Sequence, residues 1–366
     1  MLPSCDQAVV IVAQIQAKND IVYKAGWLKA NSTAGAEAKQ GVSEVMIQTL
    51  KSVRHLATGA MNHRVSEFHV PVPWGEIRGR IWGPDNGRPV LCIHGWSDNS
   101  GSFNNLIPLL PSDWRCLAID LPGHGFSSHR PAGVFYGFPY YVADMRRVLE
   151  AVQWKRFSAI GHSMGGSIAA MFSALYPEMV EAIVLLDSFG FLPAHKKEIN
   201  NIIRKGMDEM IEYEKKMTDR KERIYTYEAA KERLKATNPF LSDQSAQTFL
   251  ERGVKQVDGG VVFSRDIRIN LTNIARMDLE QCLDLQAQIK AKVLLLQANQ
   301  GLIKIFPQPE DLFEPIQKGW KDKSTIVTVE GNHHIHLNDP AVVAPVITDF
   351  LQSVTAEDTA SQAAKC

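Results

Sequence analysis

The chain has 366 residues, of which 45% are hydrophobic and 22% are charged, as in an ordinary globular protein long enough for one large α/β domain with an insertion. Its 40 basic and 40 acidic residues give a formal net charge of zero. Without a net field the chain is not expected to bind nucleic acid or anionic membranes, and a small-molecule partner is expected instead.

The N-terminal segment, residues 1–62, lacks strand patterns and is predicted to form a helical appendage. Two helices are predicted, near residues 6–29 and 36–56, and the polar tripeptide Asn31, Ser32 and Thr33 separates them. The plainer interpretation is a helical tether with one amphipathic face. The alternative is a hairpin of helices that docks onto a protein partner.

Residues 63–354 alternate apolar runs with helical patterns, which is typical of an α/β domain. Because the apolar runs are nearly continuous, the sheet is predicted to be mostly parallel and covered on both faces. The eight predicted strands are residues 67–72, 76–82, 89–94, 114–120, 157–161, 181–187, 293–298 and 324–329. Helices are predicted at 103–110, 140–152, 167–176 and 341–354, and residues 355–366 are predicted to form a flexible tail.

Residues 161–166, Gly-His-Ser-Met-Gly-Gly, join the fifth predicted strand to a helix. A Gly-x-Ser-x-Gly sequence in this context is the nucleophile elbow of an α/β-hydrolase, in which a sharp turn lifts the serine hydroxyl out of the sheet. The glycines let the backbone take that turn without clashes of Cβ atoms. Ser163 is therefore the predicted nucleophile.

The alternation of strands and helices stops after the sixth strand, and residues 192–288 are charged and mostly helical. An insertion at this point is where α/β-hydrolases carry a cap, so a helical cap is predicted here. Apolar residues recur at helical spacing between residues 199 and 211, and they are expected to pack onto the core. The alternative is that the methionines in this stretch form an adaptable roof over the pocket.

A serine hydroxyl needs a neighbouring base to become a nucleophile. In this fold the base follows the last strand, where residues 331–336 have the sequence Gly-Asn-His-His-Ile-His. Pro340 marks the start of the final helix, and His333 has the usual spacing to it. His333 is therefore the predicted base, with His334 as the runner-up, and His336 is expected to pack within the loop.

The third strand ends in residues 94–98, His-Gly-Trp-Ser-Asp. The glycine lets the loop turn back toward the elbow. The backbone N–H groups of Trp96 and Met164 are then predicted to form the oxyanion hole. His94 is expected to support this turn rather than to act as an acid or a base.

The acid of the site is the hardest residue to assign. Most members of this fold place it after the seventh strand, often as Gly-x-x-Asp, but counting from Gly301 that position is Lys304, and the next carboxylate, Glu310, is too far along. The fold has a second place for the acid directly after the sixth strand, where Asp187 stands. Asp187 is predicted to orient His333 and to stabilise the imidazolium ion, and the alternative is that it only supports a turn.

Several of these segments together resemble the serine hydrolase-like proteins: residues 94–99, 161–166, 185–191 and 331–333, with residues 240–242 and 264–266 in the insertion. The likeness covers roughly residues 66–354. It implies a capped α/β-hydrolase that is cytoplasmic or peroxisomal and that needs no cofactor or metal. It implies no defined substrate, and Lys304 departs from the aspartate found in the wider superfamily.

The leading hypothesis for function is a serine hydrolase that cleaves an ester or thioester, with an acyl-enzyme on Ser163. A carbon–carbon bond hydrolase uses the same three side chains and is the first alternative. The second is a weakly active or non-catalytic binding protein on the hydrolase scaffold, an alternative that the lysine at position 304 favours.

The cysteines and the C-terminus bear on location. Five widely spaced cysteines without a Cys-x-x-Cys pair favour a reducing compartment over a disulfide framework or a zinc site: Cys5, Cys92, Cys116, Cys282 and Cys366. No apolar run approaches the roughly 18 residues of a membrane span, so no integral membrane segment is expected. The cytoplasm is predicted, and the C-terminal tripeptide Ala-Lys-Cys, which is similar to a peroxisomal signal, makes the peroxisome the alternative.

Overall fold

An eight-stranded sheet lies at the centre of the structure, a computed structural model that describes residues 11–16, 20–25, 65–217, 222–321 and 323–363. Across the sheet the strands follow the order β1-β2-β4-β3-β5-β6-β7-β8, and β2 pairs antiparallel with β1 and β4 while the other pairs are parallel. The prediction of a mostly parallel eight-stranded sheet is confirmed. In chain order the strands are β1 (Val65–Val72), β2 (Gly75–Trp82), β3 (Arg88–Ile93), β4 (Trp114–Ile119), β5 (Phe157–His162), β6 (Val180–Leu186), β7 (Lys292–Gln300) and β8 (Ser324–Asn332).

Burial on both faces explains the continuous apolar runs of the central strands. In β6, Ile183 and Leu185 belong to the core on one face, while Val184 and Leu186 belong to the core on the other. Successive side chains of a strand point to opposite faces, so a strand covered on both sides needs apolar residues throughout. Full burial of each such side chain contributes about 1.5–3 kcal/mol.

Helices cover both faces of this sheet. One core cluster joins the sheet to α1, α2, α6 and α8, and the cluster on the opposite face includes α10. Among the described residues, no helix is both long enough and apolar enough to cross a bilayer. The helices are α1 (Phe138–Ala151), α2 (Met164–Leu175), α3 (Ile199–Met217), α4 (Tyr227–Thr237), α5 (Asp243–Gly253), α6 (Leu279–Gln288), α7 (Leu302–Ile305), α8 (Glu310–Lys321), α9 (Ile335–Asn338) and α10 (Pro340–Ala363).

The chain between β6 and β7 forms the predicted insertion. It contains α3, α4 and α5, followed by a hairpin of two short strands, Val254–Val257 and Gly260–Phe263, that the sequence did not indicate. Tyr225 adds an isolated antiparallel bridge to Val261 in this hairpin. The insertion is therefore mostly helical, as predicted, with a small β hairpin after α5.

Two of the predicted helices differ from the structure. The helix predicted at 103–110 is instead two 3₁₀ helices, Ser100–Phe103 and Ile107–Leu109, because Pro108 removes a backbone donor that an α-helix needs. The first N-terminal helix, predicted at 6–29, is wrong: Ile11–Gln16 and Asp20–Ala25 pair as antiparallel strands, in keeping with their β-branched residues. The second predicted N-terminal helix, at 36–56, lies outside the described residues, as does the C-terminal tripeptide.

The C-terminal helix is longer than predicted. Residues 355–363, predicted as a flexible tail, continue α10 to Ala363. This stretch contains no glycine or proline that would end a helix, and alanine has the highest helix propensity.

Three cysteines lie in the described part of the chain: Cys92, Cys116 and Cys282 are buried free thiols. Cys92 and Cys116 belong to the core on one face of the sheet. Burial raises the pKa of the Cys116 thiol to about 12, so this side chain stays protonated and apolar in character. Cys5 and Cys366 lie outside the described residues.

Candidate active site

Ser163 occupies the sharp turn between β5 and α2. Its backbone angles are φ 52° and ψ −117°, a strained conformation for a residue with a side chain. A Cβ atom at Gly161 would overlap the carbonyl oxygen of Gly165, and one at Gly165 would overlap that of Ile93. The two glycines are therefore required for the close approach of β3, β5 and α2 that forms the predicted elbow.

His333 lies beside Ser163 in the loop after β8. Its Nε2 atom is 3.1 Å from Ser163 Oγ, and its Nδ1 atom is 2.6 Å from Asp187 Oδ2. With Nδ1–H donating to the carboxylate, Nε2 is left to accept a proton from the serine hydroxyl. The structure thus brings the three predicted side chains into one hydrogen-bonded row, although Ser163 and His333 are 170 residues apart in the chain.

Asp187 is held by the backbone of the neighbouring strand. Its side chain is 2% exposed, and its oxygens accept hydrogen bonds from the N–H groups of Ala298 (3.0 Å) and Leu302 (2.8 Å). A Cβ atom at Gly301 would overlap both carboxylate oxygens. The turn after β7, which lacks a carboxylate of its own at Lys304, therefore supplies the space and the donors for the carboxylate of β6.

The two predicted oxyanion donors lie on adjoining elements. Met164 is the first residue of α2, so its N–H has no partner within the helix and lies at the positive end of the helix dipole. The start of α2 contacts the end of β3, since a Cβ atom at Gly165 would lie 2.7 Å from the His94 carbonyl oxygen. The indole of Trp96 donates to the Ile269 carbonyl (2.9 Å), which anchors this residue to the insertion. The backbone N–H groups of Trp96 and Met164 therefore stay the predicted donors of the oxyanion hole.

Two buried histidines support the loop that carries Trp96. His94 Nε2 accepts from the N–H of Leu121 (3.0 Å), which confirms its expected role in the turn, and His124 Nε2 accepts from the N–H of Ser97 (3.3 Å). Burial lowers the pKa of His94, and burial with the nearby His94 ring lowers the pKa of His124 to about 3. Both rings are therefore neutral supports of the loop.

The other histidines of the last loop face away from the serine. His334 Nε2 is 3.5 Å from Asp98 Oδ1, and the His336 ring packs 4.2 Å from the ring of His162, as expected for a packing residue. His162, the residue before the serine, donates from Nε2 to the His333 carbonyl (2.7 Å), so it holds the backbone of the predicted base. The structure thus distinguishes His333 from its two neighbours.

Asp98 lies between two of these histidines, 3.3 Å from His162 Nδ1 and 3.5 Å from His334 Nε2. Burial alone would raise the pKa of its carboxyl group, but His334 and His162 outweigh burial and hold that pKa well below its usual range. Sequence reasoning did not identify the supporting roles of Asp98 and His162. The one available signal was a histidine inside the elbow, adjacent to the nucleophile.

Comparison with known proteins decides the family. The alpha/beta hydrolase fold family matches residues 88–340. A serine hydrolase-like protein of Danio rerio is 60% identical over 318 residues, which cover 87% of this chain and 98% of the relative. The chain belongs to the serine hydrolase-like family. The human serine hydrolase-like protein 2, another relative of this family member, is 36% identical over 299 residues, which cover 79% of this chain and 94% of the relative.

Solved structures share the fold of this serine hydrolase-like family member. A hypothetical protein of Pseudomonas aeruginosa PAO1 is 28% identical with a TM-score of 0.70, and the match covers 78% of this chain and 99% of the other. The thioesterase domain from the curacin biosynthetic pathway is 23% identical with a TM-score of 0.67, again over 78% and 99%, and at this identity the likeness concerns the fold alone. Family and fold together support hydrolase activity in general.

In this serine hydrolase-like protein the insertion lies against three loops at the carboxyl edge of the sheet. Asn99, after β3, donates from Nδ2 to the Phe249 carbonyl (3.0 Å), and Asn338, after β8, donates to the Phe240 carbonyl (2.9 Å). Leu337 belongs to the same apolar cluster as α4 and α5. The loops that carry Trp96 and His333 are thus both fastened to the insertion.

A buried arginine of the insertion, Arg252, forms an ion pair with the third loop, which follows β4. Arg252 of α5 and Asp120 after β4 are both 0% exposed, and Nε and Nη2 of Arg252 both donate to Asp120 Oδ2, at 3.0 and 2.8 Å. Arg252 also contacts both oxygens of Glu67, at 2.9 and 2.8 Å. Burial opposes ionisation of Asp120, but Arg252 and the N–H donors of Ser100 and Phe126 lower the pKa of Asp120. Its position on the otherwise apolar face of α5 was the only sequence signal for Arg252.

We expect the stability of the fold to fall as the pH falls from about 6.5 to 4. Burial lowers the pKa of four histidines below the usual value near 6.5, to about 4 in His162 and about 3 in His124, and also in His94 and His336. In this window the unfolded chain binds protons that the folded chain excludes. Each histidine then reduces the free energy of unfolding by up to about 1.4 kcal/mol per pH unit.

Thermal unfolding at pH 7, 6 and 5 and constant ionic strength measures this effect. Asp98 and Asp120 do not contribute there, because their lowered pKa values place their titration at more acidic pH. His336→Phe should reduce the slope of the free energy of unfolding against pH by the contribution of about one proton. His69→Gln, a change at an exposed residue, should leave this slope unaltered. A melting temperature that stays constant from pH 7 to 5 would contradict the prediction.

Proposed function

We propose that the protein is a serine hydrolase that cleaves an ester or thioester of a small or acyl-chain substrate. The observation that carries this proposal is the hydrogen-bonded row of Ser163, His333 and Asp187. Such a row makes a serine hydroxyl nucleophilic, because the base accepts its proton while the acid stabilises the resulting imidazolium ion. The row also argues against a binding protein without catalytic activity.

The reaction takes place in two halves. Ser163 Oγ attacks the carbonyl carbon while His333 Nε2 accepts the hydroxyl proton, and the N–H groups of Trp96 and Met164 stabilise the negative oxygen that forms. The tetrahedral intermediate then expels the alcohol or thiol, which takes its proton from His333. In the second half a water molecule gives a proton to His333 and attacks the acyl carbonyl carbon. The bond from that carbon to Ser163 Oγ then breaks, His333 returns its proton to Oγ, and the carboxylic acid leaves.

The insertion is proposed to be the cap of this enzyme. It contacts the loops that bear the proposed base and oxyanion donor, through Asn338 and Asn99 respectively, so it lies over the edge of the sheet where Ser163 lies. A cap at this position limits the access of bulk water and shapes the substrate pocket. Met207 and Ile211, one turn apart on the exposed side of α3, are the proposed apolar contacts for an acyl chain.

A substrate panel tests the reaction class. Esters and thioesters of graded acyl length, together with a carbon–carbon substrate such as a β-diketone, should be incubated with the full chain, and the products identified by mass spectrometry. We expect turnover of an ester or thioester and a transient acyl adduct on the peptide that contains Ser163. Turnover confined to the β-diketone would favour the carbon–carbon hydrolase, and no adduct and no turnover would contradict the proposal.

The assignment of the base has a matched pair of variants. His333→Gln should reduce turnover by about 10³-fold or more, because among the described residues no other base is hydrogen-bonded to the Ser163 hydroxyl. His334→Gln, the same substitution one residue later, should retain most of the activity because His334 faces Asp98. Measurement of kcat for both variants decides between them, and a reversed order would assign the base to His334.

A further inference from the structure

Three arginines surround two aromatic rings beside the hairpin of the insertion. The guanidinium groups of Arg223 and Arg233 lie 5.0 and 5.9 Å from the centroid of the Tyr225 ring, and that of Arg265 lies 5.8 Å from the centroid of Phe263. The two rings form an edge-to-face pair with centroids 5.6 Å apart. We call these five residues the arginine cluster.

The backbone around the arginine cluster is fixed. Tyr225 and Val261 exchange two backbone hydrogen bonds of 2.9 and 2.8 Å, which adds residue 225 to the edge of the hairpin. A Cβ atom at Gly260 would overlap the Tyr225 carbonyl, so the two segments are in close contact. The guanidinium groups of Arg265 and Arg223 lie over the rings of Phe263 and Tyr225, which belong to these two segments. The cluster is therefore part of the folded insertion.

The charges of the cluster are not neutralised within the part of the chain that the structure describes, where none of the three guanidinium groups has an ion pair or hydrogen bond with a carboxylate. Three acidic groups of the insertion have other partners: Glu228 pairs with Lys231 (2.8 Å), Asp243 with Lys235, and Glu251 with Arg80 (3.1 Å). By contrast, other arginines of the chain have buried carboxylate partners: Arg130 with Asp144, Arg252 with Asp120 and Arg268 with Asp266.

Arg265 is the least exposed of the three arginines. It is half-buried, and burial and the nearby Arg233 lower its pKa although Asp98 opposes them. A guanidinium ion that loses water without gaining an anion is unfavourable, and three like charges around one ring pair add mutual repulsion. An anion bound between them relieves both costs.

We propose that the arginine cluster is a binding site for the phosphate groups of a phosphorylated small molecule. A guanidinium group donates two parallel hydrogen bonds to a phosphate, and the planar fork fits this geometry better than a lysine does. A phosphate carries nearly two negative charges at neutral pH and a pyrophosphate carries more, so these groups match three cations better than one carboxylate does. The ring faces are already covered by arginines, so the anion is the recognised part of the ligand.

The position of Arg265 connects this site with the proposed reaction, and this step rests on the proposed function. Asp98, which lies in the loop after β3 with Trp96, opposes the lowering of the Arg265 pKa. The next residue, Asp266, donates its N–H to the Gly123 carbonyl (2.8 Å) in the loop after β4. A substrate with phosphate groups on its alcohol or thiol part therefore gains binding from the cluster, whereas an uncharged ester does not.

Calorimetric titration of the full chain with sodium pyrophosphate tests the site directly. We expect saturable binding at one site, weakened at least tenfold in Arg265→Gln and in Arg223→Gln, whose exposed side chain can be changed without loss of the fold. Arg204→Gln is the matched control, because Arg204 is exposed on α3 and lies 3.8 Å from Asp208. The affinity of the Arg204→Gln variant for pyrophosphate should stay within twofold of that of the unaltered chain. Absence of saturable binding, or equal losses in all three variants, would overturn the proposal.

Two further experiments distinguish the possible sources of the phosphate group. Vesicles that contain phosphatidic acid present the same chemistry on a membrane, so cosedimentation that depends on Arg265 without pyrophosphate binding would overturn the small-molecule site. For a phosphate-bearing thioester, Arg265→Gln should raise KM at least tenfold with little change in kcat, whereas Arg204→Gln should leave both values unchanged. Because calorimetry needs no turnover, failure of the phosphate site and failure of the hydrolase assignment give different results.

Discussion

Replacement of Ser163 by alanine is expected to abolish labelling by a fluorophosphonate probe and to reduce kcat on the order of 10⁶-fold. The probe reacts with a serine only when a neighbouring base accepts its proton, and His333 Nε2 lies 3.1 Å from Ser163 Oγ. The fold should be retained, because alanine removes only an oxygen at this position. Ser163→Ala also keeps the strained φ of 52°, so the free energy of unfolding should change little.

The matched control for this experiment is Ser173→Ala in the same helix. Ser173 is buried in α2, and its hydroxyl has no hydrogen-bond partner among the described residues, so its loss should leave labelling and turnover unchanged. Circular dichroism and thermal unfolding should be recorded for both variants. Labelling that persists in folded Ser163→Ala would assign the nucleophile to another residue.

Replacement of Asp187 by asparagine is expected to reduce kcat by about two to four orders of magnitude. Both carboxylate oxygens accept hydrogen bonds, Oδ1 from the N–H of Ala298 and Oδ2 from the N–H of Leu302 and from His333 Nδ1. An amide has one accepting oxygen, so its NH₂ group must face a backbone donor or the imidazole. The variant therefore loses the orientation of His333 and about 1–3 kcal/mol of stability.

Asp311→Asn is the matched control, because it makes the same substitution in α8, where the side chain is largely exposed and lies 3.6 Å from His195. Its turnover should equal that of the unaltered chain, measured with the best ester or thioester of the panel. Gly301→Ala gives a second approach: a Cβ atom there would overlap both oxygens of Asp187, so activity should fall although no catalytic group is changed. Near-native turnover in Asp187→Asn would mean that a different group, or none, orients His333.

Most of the fold could be predicted because its signals are local. The eight strands of the sheet begin and end within a few residues of the predicted bounds, since an apolar run or a period of 2.0 or 3.6 is read directly along the chain. The exceptions follow from competing local effects. Pro108 divides the predicted helix 103–110 into 3₁₀ segments, and the β-branched residues of the N-terminal segment form strands.

The site likewise has residues that the local sequence predicted and residues whose roles depend on tertiary packing. Residues 161–166 alone were enough to predict Ser163 as the nucleophile and Met164 as an oxyanion donor, because the strand, the turn and the helix are continuous in the chain. The choice of His333 among three histidines rested on spacing to Pro340, and only the structure shows that its ring faces Ser163 while His334 faces Asp98. The side on which a loop histidine points depends on packing against other elements, which no local pattern records.

By itself, the sequence determined the class of fold, the elbow and the residue types of the site. The tertiary structure decided how distant parts combine: Asp187 and His333 are 146 residues apart, and they meet because β6, β7 and β8 are neighbours in the sheet. It also revealed that the turn at Gly301 and Leu302 receives the Asp187 carboxylate, and that Arg252 fastens the insertion to Asp120. These contacts depend on the order of strands and on burial, and both arise only when the chain is packed.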